Sequence, residues 1–209
     1  METERIKISN QGHGVDEAMA VADKAAVYGD LDDKQKIRLR LLSEELIGLL
    51  RGVAGDVEAY FKIVQNDKKY ELHLNSDIVM NQELHKQLVA LSTSGTNAAA
   101  AGFMGKLREF IAVSLLPTVG EGRMNPGISL GLINTDNVMG YQSNVDAYMW
   151  SMQQYKESLD ELDDPDDAEI NTGEAWDELE KSIVAQIADE VKVRVVGSDV
   201  EIIIFKDFS

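Results

Sequence analysis

The sequence predicts an α+β fold in which a largely antiparallel sheet packs against helices. Segments with the two-residue alternation of strands lie at the start, in the middle and at the end of the chain, and segments with helical spacing lie between them. Elements grouped in this way, rather than strictly alternating, are typical of two-layer α+β sandwiches. We therefore expect one domain over residues 1–209, with a mixed, largely antiparallel sheet and helices on one face.

The first predicted elements are a short strand and a helix. In RIKIS, Ile6 and Ile8 alternate with charged residues and fall on one side of a strand. Residues 15–28 are rich in alanine and have helical spacing, and Gly29 follows as a stop signal.

A second helix and a hairpin follow. Asp32 or Asp33 can cap a helix that we expect to continue to about Val53. The strand-like runs AYFKIV and YELHLN flank a short turn-rich link, which predicts a hairpin.

Helical patterns dominate the second half of the chain. We expect a helix at roughly 81–91, a second that ends before Pro117, and a third over AYMWSMQQYKESL. An apolar stripe from Trp176 to Val191 predicts a longer helix.

The chain closes with a predicted hairpin around a glycine-containing turn, formed by KVRVV and VEIIIF. Because VEIIIF is almost continuously apolar, we expect a central strand whose Ile203 side chain lies in the core.

Charge and composition restrict the class of ligand. The net charge of −17 argues against nucleic acid and anionic membranes, because their phosphates would be repelled. No stretch approaches the ~20 consecutive apolar residues of a membrane span, and METERIKISN lacks the apolar region of an export signal. The sequence contains no cysteine, which excludes disulfides and thiolate metal sites. We therefore expect a cytoplasmic protein.

A long acidic run, residues 157–180, contains no lysine or arginine. Such a run favours a solvated surface or a flexible loop, and we expect residues 157–175 to be poorly ordered or wholly solvated. Calcium is the alternative, but these acids do not follow the spacing of a calcium-binding loop. The spacing of His13, His73 and His85 indicates no metal cluster, so the sequence predicts no metal site.

Three stretches of the sequence together match the pattern of a known protein family. LLSEELIGLL is a helix with glutamates, YELHLNSD is a strand that ends in an aspartate, and IADEVKVRVVGSDVEIIIF combines a helix, a turn and a closing strand. Together they resemble the histidine-kinase-like (Bergerat) ATPase fold, especially the anti-sigma-factor serine kinases. The resemblance implies a single domain of this kind with a long insertion at about 112–172, and ATP as its ligand.

The resemblance also implies roles for individual residues. Glu44 takes the position of the glutamate that activates water, and Asp77 that of the aspartate that binds adenine. The position of the asparagine that holds Mg²⁺ falls on Gly48, which has no side chain, so the sequence argues against a magnesium ion. Ile78 begins a stretch that lacks the family's glycines after the aspartate.

A candidate phosphate-binding segment lies further along the chain. Small residues lead through Gly102 and Gly105 to Lys106 at the start of a helix. Helix N-termini bind anions through free backbone amides and the helix dipole. We expect Gly102, Gly105 and Lys106 to lie near the phosphates of any bound nucleotide.

Each candidate also has a purely structural interpretation. Glu44 can be a surface carboxylate paired with Arg40, and Asp77 can be the turn residue that ends a strand. The chain is therefore either an ATP-binding regulatory domain with little or no catalysis, or a non-catalytic module of the same fold that binds a protein partner. Enzymatic activity stays open between these two functions.

Overall fold

The computed structural model describes residues 1–52, 56–78, 102–115, 147–161 and 172–209. Their strands are β1 (Ile6–Ser9), β2 (Glu58–Asn66), β3 (Lys69–Asp77), β4 (Ala147–Ser151), β5 (Glu190–Val196) and β6 (Asp199–Asp207). Their helices are α1 (Val15–Tyr28), α2 (Asp33–Gly48), α3 (Phe103–Ser114), α4 (Met152–Glu161), α5 (Thr172–Lys181) and α6 (Ile183–Ile187), with a 3₁₀ turn at Leu49–Gly52. The helix predicted at 81–91 lies outside the described residues.

The strands form one sheet in the order β1-β2-β3-β6-β5-β4. Every neighbouring pair of described strands is antiparallel, and the parallel pairs expected of a mixed sheet do not occur among them. The predicted α+β class, with a largely antiparallel sheet and a layer of helices, is confirmed. β6 lies between β3 and β5, which confirms that VEIIIF forms a central strand.

Alternate side chains of each strand point to opposite faces of the sheet. The inner face packs against the helices and is buried; its members include Ile8, Phe61, Ile63, Leu72, Leu74, Val193, Ile202 and Ile204. The other side, which we call the outer face, carries Tyr60, Lys62, Glu71, His73, Asn75, Glu201, Ile203 and Phe205.

α2 lies over the inner face and has a well-defined start. The Asp32 carboxylate accepts a hydrogen bond from the Gln35 backbone amide at 2.8 Å, and the Gln35 side chain accepts one from the Asp32 amide at 3.0 Å. This reciprocal cap satisfies two amides that would otherwise lack partners. The helix ends at Gly48 and tightens into the 3₁₀ turn at Leu49–Gly52, so the predicted end at Val53 is too late for the α-helix.

The prediction of a continuous helix over AYMWSMQQYKESL is wrong at its start. Its first five residues form β4, the edge strand, with Trp150 opposite Val193 on β5. Trp150 is buried, and its ring lies 5.6 Å from Phe103 and 6.1 Å from Tyr155. Aromatic residues fit a half-buried strand as well as a helix, and the neighbouring strand decides between them.

The apolar stripe from Trp176 to Val191 does not form one helix as predicted. α5 ends at Lys181, and the Ser182 hydroxyl then caps α6 by accepting a hydrogen bond from the Ala185 amide at 3.3 Å. Val191 belongs to β5. Spacing alone does not reveal this break, because a serine cap between two short helices preserves the apolar spacing on both sides of it.

The burial of individual side chains corrects two further predictions. Ile203 is only partly buried because it points to the outer face, whereas its neighbours Ile202 and Ile204 are 3% and 1% exposed. The acidic run is not wholly solvated, since Leu159 on α4 and Ala175 on α5 are buried core residues. Residues 162–171 of that run lie outside the described residues.

Candidate functional site

Glu44, the candidate base, lies on the solvent side of α2. Its carboxylate accepts a hydrogen bond from Arg40 Nε at 3.1 Å, and Arg40 Nη1 donates to Asp23 of α1 at 2.8 Å. The hydrogen bond and charge of Asp23, with a smaller contribution from Glu44, raise the pKa of Arg40. The Glu44 side chain is 48% exposed. Glu44 therefore takes part in an ion pair on the helix surface, as the structural interpretation expected.

Asp77, the candidate adenine ligand, is the last residue of β3. The preceding residue, Ser76, points to the inner face, is buried, and donates a hydrogen bond to the Glu58 carbonyl at 2.6 Å. Asp77 is exposed and lies opposite Asp199 on β6. Because side chains alternate along a strand, Asp77 belongs to the outer face, on the side of the sheet away from the helices.

Gly102, Gly105 and Lys106 form the start of α3. Gly102 has φ +86°, a left-handed conformation that strongly favours glycine, and its carbonyl accepts hydrogen bonds from the Gly105 and Lys106 amides at 3.0 and 3.1 Å. The structure thus brings these three residues together in one helical turn, as the sequence predicted for their local arrangement.

The Lys106 ammonium group is already paired. Its Nζ lies 2.6 Å from the Glu178 carboxylate of α5, and the two side chains are only 26% and 21% exposed. Burial and the neighbouring charge of Glu178 raise the pKa of Tyr155 on α4 to about 12. A phosphate group at Lys106 would have to compete with a partly buried carboxylate, which makes this position electrostatically poor for a nucleotide.

The predicted site residues thus occupy separate places in the fold. Glu44 lies on the exposed surface of α2 beside α1, and Asp77 lies on the outer face of the sheet. Lys106 joins α3 to α5 within the helix layer. Asp77 thus lies on the other side of the sheet from the helix layer that contains Glu44 and Lys106.

Arg108 is a residue that the sequence did not single out. Its Nη2 donates to the Gly48 carbonyl at 3.4 Å, and its Nε is buried without a hydrogen-bond partner. A cation at the C-terminal end of α2 interacts favourably with the helix dipole. The contact joins residues 60 positions apart, and no local pattern around Arg108 indicates it.

The structure gives no support for a metal centre in the part of the chain that it describes. In those residues no group of three or more His, Asp or Glu side chains could hold a metal ion. His13 contacts the Ser9 hydroxyl at 3.2 Å, and His73 contacts Glu71 at 3.2 Å on the outer face. His85 lies outside the described residues. Gly48, where the resemblance would place a magnesium ligand, offers only its backbone.

Comparison of the chain with protein-family models, with curated proteins and with solved structures finds no match. The resemblance to the histidine-kinase-like ATPase fold therefore stays a prediction from the sequence. Within the described parts of the chain, no helix combines the length and the apolar character that crossing a membrane requires.

Proposed function

We propose that this chain is a non-catalytic regulatory module that acts by binding a protein partner. The observation that supports the non-catalytic part of this proposal best is the separation of the candidate chemical groups. Glu44 and Lys106 each form an ion pair with another side chain of the protein, and Asp77 lies on the outer face of the sheet. Catalysis requires a base and its substrate within hydrogen-bond reach of each other, and this arrangement keeps the candidate groups apart.

ATP binding is the competing proposal. It draws on the resemblance and on the small-residue start of α3, where Gly102 turns the chain into the helix. Against it stand the Lys106–Glu178 ion pair and the net charge of −17, both of which oppose an anionic ligand.

A thermal-shift titration separates the two proposals. A ligand that binds only the folded chain stabilises it by about 2.7 kcal/mol at a hundredfold excess over Kd. That stabilisation corresponds to a rise in Tm of roughly 5–11 °C for a domain of this size. With millimolar ATP, in the presence or absence of Mg²⁺, we expect no measurable rise.

The matched variants make the titration specific. Lys106→Met removes the candidate phosphate-binding lysine, and Lys34→Met, on the exposed part of α2, is its control. If ATP raises the Tm of the unmodified chain and of Lys34→Met but not of Lys106→Met, the chain binds a nucleotide and the proposal of partner binding is contradicted. A rise that Asp77→Asn removes would likewise contradict partner binding and would support nucleotide binding at Asp77.

Partner binding has its own test. A photo-crosslinking amino acid is placed at Tyr28, which is 70% exposed on α1, or at Tyr60, which is 41% exposed on the outer face. Irradiation in cells of the native host should give a discrete cross-linked protein at one position and not at the other. Failure to cross-link at either position, with both variants folded, would contradict the proposal.

A further inference from the structure

We draw no further inference here: the strongest candidate, the outer face of the sheet around Tyr60, Ile203 and Phe205, carries nothing because no contact among the described residues shows what covers it.

Discussion

The inner and outer faces of the sheet come from the same strands, yet they differ in burial and chemistry. On β6, Ile202 and Ile204 are almost completely buried, whereas Ile203 between them is only partly buried. On β3, Ser76 is buried and Asp77 is exposed. A shift of one residue exchanges the two faces of a strand. The same one-residue difference therefore decides which isoleucines form the core and whether the candidate adenine ligand faces the helices.

The outer face has its own, weaker set of contacts. Lys62 pairs with Glu2 at 2.6 Å, and Lys192 lies 5.3 Å from the centre of the Phe205 ring. Exposed ion pairs and exposed cation–π contacts contribute little to stability, because water and salt screen their charges. Full burial of a large apolar side chain contributes about 1.5–3 kcal/mol, so the inner face should dominate stability.

The largest expected difference between the faces is at two neighbouring aromatic residues of β2. Phe61→Ala, at a fully buried inner position, should lower the free energy of unfolding by about 3–5 kcal/mol because it leaves a cavity. Tyr60→Ala, on the outer face, should cost roughly 1 kcal/mol, including its contact with Arg5. Urea denaturation measures both. Equal losses would mean that the outer face is packed as tightly as the inner one.

The same comparison within β6 uses one substitution at adjacent positions. Ile204→Ala should cost about 2–5 kcal/mol, and Ile203→Ala less than about 1.5 kcal/mol, since Ile203 is only partly buried. Urea midpoints of the two variants give the difference directly. A larger loss at Ile203 would show that another part of the chain covers the outer face, or that the strand register is wrong.

Substitutions at two glycines extend the comparison of buried and exposed positions to the helix layer. At Gly29 an added Cβ would overlap the Tyr70 hydroxyl and the Gln65 amide at the end of the inner face, so Gly29→Ala should cost about 1–3 kcal/mol. At Gly48 nothing lies within 4 Å of an added Cβ, so Gly48→Ala should stabilise α2 by up to about 1 kcal/mol.

Thermal unfolding of the Gly29 and Gly48 variants should give shifts in Tm of opposite sign. Adding Tyr70→Phe to Gly29→Ala removes the overlapping hydroxyl and should recover part of the loss. If the double variant were no more stable than Gly29→Ala alone, the overlap with Tyr70 would not be the cause.

The smallest expected effect is at Glu44. Glu44→Gln breaks a solvent-exposed pair with Arg40 one helical turn away, and such pairs contribute about 0.2–0.5 kcal/mol. The loss should shrink further at high salt, because salt screens exposed charges. A salt-independent effect above about 1.5 kcal/mol would indicate that Glu44 has a partner other than Arg40.

The elements that the sequence predicted well are those specified by local signals. α1 was expected over residues 15–28 and forms there, and an aspartate cap begins α2 as expected. The hairpin of β2 and β3 follows from its alternation and its turn.

The errors arose where distant residues decide the outcome. Trp150 lies in a strand because β5 pairs with it. The ion pair between Lys106 and Glu178 of another helix is likewise a contact that local spacing does not indicate. The face of Asp77, in contrast, follows from the alternation of β3: Tyr70, Leu72 and Leu74 share the buried face, and Asp77 falls on the other one. A site composed of residues from several elements therefore could not be assembled from spacing alone.

The position of β6 has a consequence for how the chain acquires its structure. It is the strand latest in the sequence, yet it lies in the middle of the sheet, where Leu72 on β3 pairs with Ile204. These partners are separated by about 130 positions, and contacts between distant residues slow folding. During synthesis, β3 lacks its neighbour on one side until residues 199–207 leave the ribosome. The sheet should therefore close late, and its unpaired edge should be the surface most prone to aggregation before then.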